Sequence, residues 1–165
     1  MTPELAQHIK KEISLNGLTN AFFNGVIAWW LLKDVPALDW WGKHSFGVDI
    51  LATAFLLPFI VALIVIPLSR KKRASNKIPA LLPNYNLWLE RLVARFPRSL
   101  FWSATLFGAV GILLMATVTL LAFKLFGIEQ VDPLHYSIFK AFWAGLMAFL
   151  LAGPMIMVGV RTNEQ

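Results

Sequence analysis

Four apolar stretches, each about as long as a bilayer is thick, constrain this chain more than any other feature. A spanning helix needs about 20 mostly apolar residues, because the hydrocarbon core is roughly 30 Å thick and a helix rises about 1.5 Å per residue. The stretches run approximately over residues 13–32, 48–69, 100–123 and 137–160. With 58% hydrophobic and only 15% charged residues, the composition is also that of a membrane protein. The sequence therefore predicts an all-α integral membrane protein, with one domain of four transmembrane helices over residues 1–165.

Lysine and arginine are unevenly distributed around these stretches. Eleven of the fifteen would lie at the N-terminus, in the loop between the second and third stretches, or at the C-terminus. The other four, Lys33, Lys43, Lys124 and Lys140, would lie on the opposite side. Because the side richer in Lys and Arg stays cytoplasmic, both termini and the middle loop are predicted to be cytoplasmic, in a plasma membrane or bacterial inner membrane. This asymmetry accounts for the net charge of +6, so no nucleic-acid partner is expected.

The middle loop predicts a short amphipathic surface helix over about residues 84–96. Its aromatic and aliphatic residues recur on one helical face, and basic residues precede and interrupt it. We expect this loop to lie on the bilayer and to contact anionic lipid. The alternative is a solvated connector or a docking site for a soluble partner. The residues expected at the membrane surface are Arg70, Lys71, Lys72, Arg73, Trp88, Arg91 and Arg95.

The first stretch carries Asn16, Asn20 and Asn24, spaced by four so that they form one polar stripe along a helix. A stripe of small residues runs beside them. In one interpretation the small residues allow close helix contact and the amides bond across that interface. In the other, the amides line a narrow polar path for an ion or small solute. The pathway or helix-interface residues under both hypotheses are Asn16, Asn20, Asn24, Gly17, Ala21 and Gly25.

The start of the chain and the fourth stretch give two further packing predictions. Thr2 followed by Pro3 is typical of a helix start, so the first helix should begin well before the membrane. In the fourth stretch, small residues recur at intervals of three and four and predict tight packing against another helix, within the subunit or between subunits. This helix-packing seam consists of Ala141, Gly145, Ala148 and Ala152.

Two opposite charges fall about one turn inside the outer ends of the second and fourth stretches. They are Asp49 and Lys140. Charge at this depth is costly unless it is paired or reaches the headgroups. We therefore expect a charge pair between them, and independent contact with the headgroups is the alternative.

The sequence offers little for catalysis. The absence of cysteine excludes thiol chemistry and cysteine metal sites, and the three histidines lie in different segments. No nucleotide-binding glycine loop is present either, so we predict no enzyme activity, no cofactor and no metal. The favoured function is a homo-oligomeric channel or facilitative transporter for a small ion or solute. The alternatives are a non-catalytic accessory or scaffold subunit bound to an unknown soluble or membrane partner, and a lipid-acting enzyme without a visible nucleophile.

Overall fold

The computed structural model describes residues 2–81 and 88–161, which are mostly helical. The predicted surface helix lies partly outside these residues, since 84–87 are not among them, and a helix is present from Trp88. The elements in chain order are α1 (Pro3–Leu32), β1 (Leu38–Asp39), α2 (Phe46–Ala74), α3 (Trp88–Ala94), α4 (Leu100–Gly111), a π-helical segment (Ile112–Ala116), α5 (Thr117–Leu125), β2 (Gln130–Val131) and α6 (Pro133–Val160).

Three helices are long and apolar enough to cross a membrane. They are Phe46–Ala74, Leu100–Leu125 and Pro133–Val160, the second being the continuous run of α4, the π segment and α5. Helix α1 has sufficient length at 30 residues but is less apolar, because three asparagines fall in the half that the sequence predicts to span. The structure is therefore compatible with membrane association through three helices.

Helix starts follow local chemistry. Thr2 is the N-cap of α1, where its hydroxyl accepts a hydrogen bond from the Leu5 amide and Pro3 occupies the first turn, which confirms the predicted start. Helix α6 begins earlier than residue 137, because the Asp132 carboxylate accepts bonds from the amides of Leu134 and His135. Both caps lengthen their helices beyond the apolar stretches.

Helix α6 lies at the centre of the arrangement, between α1 and α2. The contacts of its glycines show that α1 runs antiparallel to it, since Gly17 and Gly25 meet Gly145 and Ala141. Helix α2 runs parallel to α6, and α4 packs against α2. The start of α1, the ends of α2 and α6 and the start of α4 thus share one end of the bundle, which we call the basic end.

We call the opposite end of the bundle the outer end, and there the loops before α2 and before α6 are joined by backbone pairing. Leu38 and Asp39 pair antiparallel with Val131 and Gln130. The Trp40 indole donates to the Ile128 carbonyl at 2.7 Å and packs against Phe46. These bonds hold both loops across the outer ends of α2 and α6.

Candidate functional site

The small residues of α1 and α6 meet each other. A side-chain carbon added at Gly25 would lie 2.7 Å from the Ala141 Cβ atom, and one added at Gly145 would lie 2.7 Å from the Ala21 Cβ atom. Such distances are below any normal carbon contact, so the two helices approach as closely as their backbones allow. Farther along the seam, Ala148 and Ala152 are also buried. The structure therefore brings the predicted stripe of α1 and the predicted seam of α6 together within one chain.

The three asparagines bond to their own helix. The side-chain Nδ2 atoms of Asn16, Asn20 and Asn24 donate to the carbonyl oxygens four residues earlier, at 2.9, 2.8 and 3.0 Å. Only the amide nitrogen can donate to a carbonyl, so the Oδ1 atoms point away from these bonds. Within residues 2–81 and 88–161, none of the three amides bonds to α6. Their hydrogen bonds therefore do not hold the α1–α6 interface together.

The start of the asparagine row lies on the side of α1 that meets the end of α2. With about 100° between successive residues, Asn16 occupies nearly the same angular position as Ile9 and lies close to that of Glu12. Ile9 belongs to a buried cluster that includes residues of α2 and α6. Glu12 accepts a 2.7 Å hydrogen bond from Lys72 near the end of α2. All three asparagines are half-buried, so their side chains keep contact with the surroundings of the chain.

An ion pair with a tyrosine lies at the outer end of the row. The Lys140 Nζ atom is 2.7 Å from Oδ1 and 2.5 Å from Oδ2 of Asp49, and the Tyr136 hydroxyl donates to Oδ2 at 2.5 Å. Only 13% of the Lys140 side chain is exposed, against 36% for Asp49. The structure thus places the two charges that the sequence singled out in direct contact, and it adds a buried tyrosine to them.

The sequence analysis missed Tyr136, although a signal was present. Tyr136 stands one helical turn before Lys140, so both side chains leave α6 on the same face. Its hydroxyl is a donor that an apolar surrounding would leave without a partner. A tyrosine at that spacing from a lysine inside a predicted span could therefore have been assigned to the same charge cluster.

The two ion pairs bracket the asparagine row. Glu12 with Lys72 lies one turn before Asn16. Asp49 with Lys140 lies level with Asn24, because the neighbouring Gly25 contacts Ala141, the residue after Lys140. Each pair includes one residue of α2. The row therefore runs between two charged contacts that tie α1 and α6 to the same neighbouring helix.

The residues predicted for the membrane surface collect at the basic end. Trp88 is highly exposed, and Lys71, Arg91 and Arg95 are exposed as well. Lys72 is bound to Glu12, and Arg73 donates a hydrogen bond to the Arg161 carbonyl. The described part of this group thus includes both exposed and structurally engaged cations.

A cleft of about 610 Å³ opens elsewhere, near the outer loops between α2 and α5. Its lining is largely apolar, and Lys124 and Glu129 are its two charged residues. None of the three asparagines lines it. The lining residues are Trp40, Trp41, Leu51, Thr117, Leu120, Leu121, Lys124 and Glu129.

Neither a metal site among the described residues nor a known relative helps to interpret this geometry. In the described segments, no three His, Asp or Glu side chains are grouped as a metal would require. No family model, curated protein or solved structure matches the chain. The properties of the site therefore rest on its own residues.

Proposed function

We propose that this protein is a four-span membrane protein that passes a small cation or hydrogen-bond-donating solute along the asparagine row of α1. The observation that carries the proposal is the orientation of the three amides. One N–H of each amide is bonded to the helix backbone, which leaves the Oδ1 acceptor and the second N–H of each amide on a half-buried surface. Neutral oxygens in a row can replace the hydration of a cation or accept from an N–H or O–H group.

Helix α1 serves as the fourth span in this proposal. Its outward face presents large apolar side chains suited to lipid, including Leu18 and Phe22, which are highly exposed. Its polar row begins beside the end of α2, and the close contact between α1 and α6 lies next to the row. With the basic end cytoplasmic, as the positive-inside rule requires, the Asp49–Lys140 pair lies at the external end of the row.

A single chain leaves the asparagine row open along one flank, because the amides are half-buried rather than enclosed. Closing a pathway therefore requires a second surface, and a further copy of the same chain supplies one without another gene product. We propose a homo-oligomer in a plasma or bacterial inner membrane, with anionic lipid at the basic end. An accessory or scaffold subunit is the competing function, in which the same row binds a neighbouring helix.

The test is flux into liposomes that contain the purified protein, measured for a panel of monovalent cations and small polar solutes. Asn20→Leu and Asn24→Leu remove the acceptors, and we expect selective flux to fall at least about tenfold, which corresponds to about 1.4 kcal/mol of barrier height. Thr19→Leu is the matched control, since it makes the same kind of change at an exposed position of α1.

Assembly of every variant is checked by size-exclusion chromatography before flux is compared. Loss of flux in assembled asparagine variants, with normal flux in Thr19→Leu, supports the pathway. Absence of flux across the whole panel, together with dissociation of the asparagine variants, overturns it in favour of the scaffold function.

A further inference from the structure

Arg161 ties the end of α6 to the middle loop. Its Nη1 atom lies 3.0 Å from the Val93 carbonyl oxygen and 2.7 Å from that of Phe96, and its Nη2 atom lies 2.8 Å from the Pro97 carbonyl oxygen. These carbonyls lie at and just beyond the end of α3, and those of Val93 and Pro97 also accept from the Phe96 amide and the Ser103 hydroxyl. The guanidinium group is thereby fixed in position at the basic end.

Arg70 and Arg161 bond to the carbonyl oxygens of two adjacent residues, Arg98 and Pro97. The Arg70 Nη2 atom lies 3.3 Å from the Arg98 carbonyl oxygen, which joins the end of α2 to the segment before α4. Burial lowers the pKa of Arg161 below its ordinary value, and the nearby charges of Arg70 and Arg98 lower it further. The end of α2, the start of α4 and the end of α6 therefore bring three guanidinium groups within electrostatic reach of one another.

The hydrogen bonds that position these arginines do not neutralise them. Their partners are backbone carbonyls, which carry no net charge. Among the described side chains, none of the three arginines forms an ion pair with a carboxylate, and Glu12 at the same end is bound to Lys72. Like charges held together in this way are stabilised by an anion that several of them share.

We propose that Arg70, Arg98 and Arg161 bind one phosphate group, that of an anionic phospholipid headgroup. A guanidinium group presents five donors in a planar fork that matches the oxygens of a phosphate. The site lies where two apolar helices end and a third begins, so under the proposed membrane embedding it is level with lipid phosphates. The exposed apolar residues Trp88 and Leu92 of α3 lie in the same region and suit contact with the bilayer interface.

This site differs from a diffuse attraction between a basic loop and a negative membrane. Diffuse attraction counts every nearby cation about equally. A defined site depends on particular arginines, and Arg98 is the most informative, because its described structural bond is made by its backbone oxygen and not by its side chain. Exchanging its side chain therefore removes a phosphate donor and leaves that bond available.

The experiment titrates the detergent-purified full chain with phosphatidylglycerol and measures bound lipid by native mass spectrometry. Arg98→Gln is compared with Lys77→Gln, an equal change of charge at an exposed position of the same end. We expect Arg98→Gln to weaken binding about tenfold and Lys77→Gln to change it less than about twofold. Diacylglycerol, which lacks the phosphate, should bind at background level.

Inorganic phosphate and glycerol phosphate distinguish the source of the phosphate. Weak competition by both supports a lipid headgroup, whereas full displacement by either assigns the site to a soluble phosphate compound and overturns the proposal. Equal loss in the two variants, or equal binding of diacylglycerol, also overturns it. Because binding is read in detergent without any flux, its outcome is independent of whether the transport assay succeeds.

Discussion

The ε-amino nitrogen of Lys140 lies within 2.7 Å of both carboxylate oxygens of Asp49, although the two residues are separated by 91 positions in the sequence. The contact joins the outer ends of α2 and α6. Tyr136 donates to the same carboxylate and is almost completely buried, with 1% of its surface exposed. The carboxylate therefore accepts from two groups on α6, and losing it leaves both without their partner.

Single exchanges at this pair should destabilise the protein, and the double exchange should restore part of the loss. Breaking a fully buried pair costs about 3–5 kcal/mol. The partial exposure of Asp49 reduces the expected loss to about 1–3 kcal/mol for Asp49→Lys or Lys140→Asp. Thermal unfolding in detergent gives the free-energy differences for both single variants and for the double variant. A double variant as unstable as the two losses combined would show that the charges do not interact.

Gly145→Val should separate α1 from α6. The first added carbon would lie 2.7 Å from the Ala21 Cβ atom and 3.0 Å from the Gly17 carbonyl oxygen, and a helix backbone offers no flexible end that could yield. Overpacking of this kind costs about 1–3 kcal/mol. Leu146→Val places the same side chain at the next position, which is exposed. Equal unfolding temperatures for the two variants would contradict the close contact between the helices.

His8 should make stability depend on pH near neutrality. Its pKa lies below the usual 6.5, first because burial disfavours the charged ring and second because Lys72 is near, while Glu12 acts in the opposite direction. Below about pH 6.5 the unfolded chain thus binds more protons than the folded chain. The free energy of unfolding should therefore fall as the pH drops through 6.5 toward the folded-state pKa, and this part should be absent in His8→Gln. Chemical unfolding between pH 5 and pH 8 would reveal it, and parallel profiles for the two proteins would count against it.

Arg161→Gln should release the middle loop from the end of α6. The substitution removes charge-assisted bonds to three carbonyl oxygens, each worth about 1.5–3 kcal/mol when fully formed. Arg91 and Arg95 are already exposed, but trypsin needs the backbone around them to unfold locally, so cleavage of the loop should accelerate while the global unfolding temperature changes little. Limited proteolysis followed by mass spectrometry measures both sites. Unchanged cleavage would indicate that α3 is held by other contacts.

The elements that could be predicted from the sequence are those that local chemistry determines. Long apolar runs predicted the three apolar helices, and Thr2 with Pro3 predicted the start of α1. The two-residue strands at Leu38 and Gln130 could not be predicted, because pairing of such short segments depends on the loops being brought together by the helices. For the same reason the hydrogen bond from Trp40 to Ile128, 88 positions away, could not be predicted.

For the site, residue types and their spacing could be read from the sequence, but the direction in which the side chains bond could not. It showed that Asn16, Asn20 and Asn24 share a side of α1, and it left open whether their amides cross to another helix. The amides bond to backbone carbonyls, which every helix contains, so no residue type in the sequence indicates these acceptors. The Arg161 contacts could not be predicted for the same reason, since the acceptors of its guanidinium group are backbone oxygens.

The π segment gives the helix Leu100–Leu125 one surplus residue. A π turn contains an extra residue relative to regular α-helix, and here it precedes Thr119, which accepts from the Trp143 indole at 2.8 Å, and Phe123, which packs on Phe139. Deleting a single residue within Ile112–Ala116 therefore allows ordinary α-helical turns and keeps Thr119 and Phe123 facing α6. The same deletion elsewhere in the helix would rotate one half against the other by about 100°. A one-residue deletion is therefore tolerated within the π segment, whereas the same deletion one or two turns away would disrupt packing.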